Sequence, residues 1–214
     1  PTPEPIYYAY ILLRDGKMST REGQVVLLED FLDEAARRAQ EKVNEQCKDM
    51  SEEERKEIAN KISISAVRFA ILRVNPNKNV IFDWENSLSF SGDTGPYVQY
   101  STARINSMLR KFGEVPTTIA EDFPLTADAE WALLAHLANF SEVVATATAN
   151  RNVASIAVYA LETARLFTGF YHDCPVLVAE TEALKVARVQ LCKATLQTLS
   201  NALGLLGIEA LERM

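Results

Sequence analysis

The sequence predicts a mainly α protein, a helical bundle preceded by a short strand and loop. Three observations carry that expectation. Apolar residues recur at helical spacing through the last third, where Leu184, Ala187, Leu191, Ala194 and Ala202 share a face that Val189, Leu196, Leu199 and Leu203 widen. Helix-start signals stand at Ser51-Glu-Glu-Glu54, a capping box with an acidic first turn, and at Thr94-Gly-Pro96, where proline presets the first turn. Strand-like composition is nearly confined to the first 28 residues.

Taken in order, Ile6 to Leu13 is rich in aromatic and β-branched residues and reads as a short strand. Arg14 to Gly23 is polar and aperiodic, a loop, and Val25 to Leu28 is a short extended piece. Glu29 to about Glu45 is an amphipathic helix with Phe31, Leu32, Ala35, Ala39 and Val43 inward. The helix begun at Ser51 runs through Ile58 and Ile62; Ala66, Phe69, Ala70 and Leu72 belong to it or to a successor that Asn75-Pro-Asn77 stops, and Val80 to Trp84 is extended. The helix from Thr94 to about Phe112 turns Val98, Ile105, Met108, Leu109 and Phe112 to one face. After a connector holding Pro116 and Pro124, three helices follow: Ala127 to about Ala147, Val153 to about Tyr171, and Glu180 to about Leu203. The chain divides at 1–28, 29–92 and 93–214.

At 214 residues, with 48% hydrophobic and 24% charged residues, the chain can bury a sizeable core. No apolar run approaches a membrane span, and Pro-Thr-Pro-Glu-Pro at the start is no signal peptide, so no membrane partner and a cytoplasmic location are expected. Three widely spaced cysteines, Cys47, Cys174 and Cys192, read as reduced, buried thiols without metal spacing. The net charge of −7 excludes a bulk polycation, so any nucleic-acid contact must use a local face, and DNA is not expected as a partner. The start at Pro1 rather than Met suggests a piece of a longer protein.

Two stretches bear on chemistry. Tyr97, Tyr100 and Arg104 fall together on the flank of their helix, aromatics beside a guanidinium, which suits unpaired bases and phosphate. The same pattern also describes a core-edge helix with snorkelling side chains. Gly16-Lys-Met-Ser-Thr-Arg21 joins a flexible glycine to two cations and two hydroxyls, a set able to wrap a polyphosphate or simply to form a polar loop. His136 and His172 lack metal or catalytic spacing and read as packing or surface residues, and neither a nucleophile motif nor a dinucleotide loop is present.

Separate stretches resemble one family, arginyl-tRNA synthetase. Gly16 to Ala35 is similar to its signature loop (KMSKS class) and the segment after it. Phe82-Asp-Trp84 with Gly95 to Ile105 resembles the entry to its helical anticodon-binding domain, and Leu203 to Met214 its C-terminus. The likeness runs from about Tyr8 to Met214. It implies that 1–28 is the end of a class I catalytic core, 29–92 a connecting helical segment, and 93–214 an anticodon-binding bundle. It further implies ATP with Mg²⁺ as cofactor of the full-length enzyme, with Lys17, Met18 and Ser19 as cofactor-binding residues, Lys17 and Ser19 on the phosphates, and Lys17, Ser19 and Arg21 in catalytic roles. No cofactor is expected to bind this chain tightly. Tyr97, Tyr100, Arg104, Tyr171 and Met214 would face the anticodon stem-loop of arginine tRNA. Thr20 replaces the signature's second lysine, Val153-Ala154 a proline-histidine pair, and Leu211 a proline. No HIGH-type motif or arginine pocket is present, so the missing catalytic domain of the same protein is a further expected partner. The alternative is a freestanding non-catalytic paralogue serving as an RNA- or protein-binding helical module.

Overall fold

The computed structural model describes residues 8–13, 27–116 and 124–214. Strand β1 (Ile11–Leu13) pairs in parallel with β2 (Val80–Phe82), Ile11 opposite Val80 and Leu13 opposite Phe82. Between them in sequence run α1 (Leu28–Gln46) and α2 (Glu52–Leu72), an antiparallel hairpin. The one-turn helix α3 (Trp84–Ser87) leads to α4 (Gly95–Phe112). The bundle is completed by α5 (Asp128–Ala138), α6 (Phe140–Asn150), α7 (Ala154–Asp173) and α8 (Glu182–Leu205). Among the described residues no helix is long and apolar enough to cross a membrane.

Local chemistry explains most boundaries. Ser51 Oγ accepts the Glu54 N–H at 3.2 Å while Glu54 returns a carboxylate to the Ser51 N–H at 2.9 Å, a reciprocal cap on α2. These bonds hold the Glu54 carboxyl below its ordinary value of 4.5. The stabilisation is therefore present above about pH 4.5 and is lost as pH falls through the lowered folded value. Ser51→Ala is expected to cost about 1 kcal/mol, checked by urea denaturation at pH 7. Thr94 caps α4 by accepting from Tyr97 N at 3.1 Å, and Pro96 fills the first turn. Thr181 caps α8 in the same way, accepting from Leu184 N at 3.1 Å.

The structure departs from the sequence reading in a few places. The single helix expected from Ala127 to Ala147 is two, divided at Asn139. Asn139 donates its side-chain amide to Ala135 O at 3.1 Å and its backbone N–H back to His136 O, so its local bonds compete with the helical ladder. Trp84, expected to be extended, starts α3 because Asp83 caps that turn by accepting from Asn86 N at 3.0 Å. Leu28, placed in an extended piece, is helical, and Leu32 is substantially exposed. On α8 Ala194 points outward, and Cys192 and Thr195 are buried in its stead. Thr195 satisfies its hydroxyl on Leu191 O at 2.8 Å, which lets a polar side chain sit inside. Of the first strand, Ile11–Leu13 is observed, and residues 6 and 7 lie outside the described range.

The main core lies among α4, α5, α7 and α8, with Val98, Ile105, Leu133, Phe167, Phe170, Leu199 and Leu203 fully enclosed. Phe69 of α2 joins it and ties the hairpin to the bundle. A second cluster, including Val43, Ile62, Leu88, Ala103 and Leu211, fills the space between hairpin and α4. At the strand pair, Phe31, Phe82 and Trp84 meet pairwise with ring centroids 4.7–4.9 Å apart. Cys47, Cys174 and Cys192 are free and buried, and burial pushes each thiol above its usual range.

Candidate nucleic-acid interface

Helix α4 builds the site by its register. Its inward face is held by Val98, Ile105 and Met108, which leaves Tyr100, Arg104, Ser107 and Lys111 along the opposite flank at helical spacing. Arg104 donates from Nη2 to the Tyr100 hydroxyl at 3.0 Å and places Cζ 4.8 Å from the Tyr100 ring centroid. From α7, Tyr171 brings a second ring to 5.3 Å from the same guanidinium. The guanidinium is thus held against two aromatic rings, each with a polar edge. Tyr171 is 41% exposed, and its ring also meets that of Phe167 on α7 at 5.8 Å.

These residues line a cleft of about 690 Å³. Arg110 and Lys111 of α4 and Arg213 near the chain end add positive charge. Met214 closes one side, and the turn between α1 and α2 supplies the facing wall with Gln46, Asp49 and Met50. A chain with net charge −7 therefore concentrates four cations and two tyrosines at one surface. A second cleft of about 690 Å³, between α2, β2 and the start of α4, is lined by serines and asparagines. Its cation Arg73 is paired with Asp93 at 3.5 Å and no aromatic lines it, so it lacks the elements of base stacking.

The structure thus gathers Tyr100, Arg104, Tyr171 and Met214 in one cleft. Tyr97 is not with them. Its hydroxyl lies 3.0 Å from Thr168 Oγ1 and its ring packs against the bundle core, which makes it a bridge between α4 and α7. Lys17, Met18, Ser19 and Arg21 lie outside the described residues. His136 stacks on Tyr159 at 4.3 Å and reaches Thr163 Oγ1 at 3.1 Å, a packing role, while His172 is exposed beside Asp173. Among the described residues no cluster suited to a metal ion is found.

Sequence reasoning missed Ser107, Lys111, Arg110, Arg213 and the α1–α2 turn. Ser107 and Lys111 continue the helical spacing of Tyr100 and Arg104 and were legible in principle. The turn was not, because its approach depends on how the hairpin packs.

Residues 98–214 match the DALR anticodon binding domain, and residues 5–84 match the catalytic domain of class I (R) tRNA synthetases. The chain belongs to the DALR anticodon-binding family. Along nearly its whole length it is similar to arginine–tRNA ligases. That of Clostridium perfringens is 41% identical over 210 residues, covering 98% of this chain and 37% of that protein. That of Methanocella arvoryzae is 41% identical over 214 residues, covering 99% of this chain and 37% of the relative. The solved Thermus thermophilus arginyl-tRNA synthetase superposes with a TM-score of 0.88 at 36% identity, over 97% of this chain and 35% of that one. The chain therefore spans little more than a third of the length of these relatives. The catalytic-domain match takes in α1 and α2, and the two matched spans meet around α3 and the start of α4.

Proposed function

We propose that the cleft on α4 binds the anticodon stem-loop of arginine tRNA, and that the chain serves ATP-dependent joining of arginine to that tRNA as part of a longer protein. The observation that carries the reading is the Arg104 guanidinium held between Tyr100 and Tyr171 in a local basic cleft of an otherwise acidic chain. Unpaired anticodon bases present π-faces for the tyrosines, and the flanking phosphates meet Arg110, Lys111 and Arg213. The division at 1–28, 29–92 and 93–214 belongs to this reading, as do ATP and Mg²⁺ at the loop bearing Lys17, Met18, Ser19 and Arg21.

Arg104→Gln keeps the stem and removes the charge. Binding of an arginine anticodon stem-loop is expected to weaken by about 1–2 kcal/mol and to lose part of its salt dependence, with helicity unchanged by circular dichroism. Affinity equal to the parent's at low salt would defeat the reading. A further expectation is that this chain by itself neither activates arginine nor charges tRNA. Transition-state binding needs the adenine and arginine sites beside the loop, and positioning of reactants alone contributes about 7–11 kcal/mol. Arginine- and tRNA-dependent pyrophosphate exchange above a no-enzyme blank would refute it.

A further inference from the structure

The last residues do not trail into solvent. After α8, Gly207 at φ 67° reverses the chain, and its carbonyl accepts from Arg68 of α2. Residues 208–212 then run back along α4 between it and the hairpin, with Ile208 and Leu211 buried. Side chains of α4 serve this segment's backbone one after another. Gln99 Nε2 donates to Glu209 O at 2.7 Å, and Asn106 Nδ2 to Leu211 O at 3.2 Å. Thr102 Oγ1 accepts the Leu211 N–H at 3.0 Å, and its own proton has Gln99 O at 2.7 Å and Leu211 O at 3.1 Å as acceptors. A proline at 211 would lack the first of these bonds. Gln99 and Thr102 are fully buried and do not line the cleft, whereas Arg213 and Met214, immediately beyond the anchored stretch, do.

We infer that Thr102, with Gln99 and Asn106 beside it, is a positioning residue for RNA binding: it fixes the 209–212 backbone and so sets Arg213 and Met214 at the wall of the cleft. This rests on the RNA reading above. Ordering residues 208–214 costs conformational entropy, and here buried side-chain bonds have met that cost before the ligand arrives. Arg213 pairs with Glu54 at 3.4 Å in a solvent-exposed ion pair, weak enough for its guanidinium to turn to a phosphate.

The test uses the full chain and a shortened one ending at Glu212, each with Thr102 intact, as Thr102→Val and as Thr102→Ser. Affinity for an arginine anticodon stem-loop is read by fluorescence anisotropy, and exchange of the Leu211 amide by NMR. In the full chain, Thr102→Val is expected to weaken binding roughly fivefold, the effect of about one net hydrogen bond, and to quicken Leu211 exchange. Thr102→Ser keeps the hydroxyl and stays within about twofold. In the shortened chain Thr102→Val has no further effect, because the residues it positions are gone. An equal loss in both chains would show general support of the fold and overturn the inference. Unchanged binding despite faster Leu211 exchange would overturn it too. Arg104→Gln is measured alongside, and if it also leaves binding unaltered, the RNA reading itself falls as a separate result.

Discussion

Replacing Arg188 with methionine is expected to destabilise the fold by about 3–5 kcal/mol. Glu130 is fully buried near the start of α5, and its Oε1 lies 2.6 Å from Arg188 Nε on α8. Its other oxygen accepts the N–H groups of Thr126 and Ala127, both at 2.8 Å. Arg188 also donates to Pro175 O at 2.8 Å, just past the end of α7. One pair therefore joins three helices, and every strong group in it has a partner. Methionine fills much of the arginine's volume but leaves a carboxylate enclosed with two amides and no counter-charge. The loss is read as a lowered denaturation midpoint with unchanged slope. Adding Glu130→Gln to Arg188→Met should recover part of it, since the amide oxygen still accepts both backbone N–H groups and carries no charge. A loss below about 1 kcal/mol, or no recovery in the double variant, would contradict this account.

Gly95→Ala is the second large effect, expected at about 1–3 kcal/mol and toward the upper end. Helix α4 meets α2 where Gly95 has no side chain, and a Cβ there would lie 2.7 Å from Ser65 O and 2.8 Å from Phe69 Cβ. Backbone cannot step aside as a flexible side chain does, so α4 must shift bodily. The midpoint of thermal unfolding should fall by roughly 2–4 °C for each kcal/mol lost. Because α4 also carries Tyr100 and Arg104, stem-loop affinity should drop under conditions where the variant remains fully folded. Unchanged stability and affinity would mean that the approach of the two helices is not tight.

How far the chain could be read in advance depended on the range of the interactions involved. The α2 and α4 starts were legible because Ser51 with Glu54, and Thr94 with Pro96, act within one turn. The break at Asn139 was not, although its bonds are local, because a side-chain bond to the carbonyl four residues back also occurs inside an unbroken helix, as at Thr148, and the residue type alone does not separate the two cases. The fate of Tyr97 turned on a neighbour: spacing put it beside Tyr100, but α7 covers it and engages its hydroxyl. The chain end was the least legible part of the site. Thr102 and Leu211 are 109 residues apart, and no local pattern announces that they will share two hydrogen bonds.

The anchoring of residues 208–212 along α4 bears on how the protein is handled. An affinity tag joined after Met214 would emerge at the cleft wall beside Arg213 and Tyr100 rather than from a remote surface. A polyhistidine tag there would set imidazoles, partly cationic near pH 6, among the groups proposed to meet phosphate, and a bulky fusion would obstruct the opening. Purification handles, fluorophores and surface-immobilisation points are better attached elsewhere, and affinities measured with C-terminally tethered protein report the tether as well as the cleft.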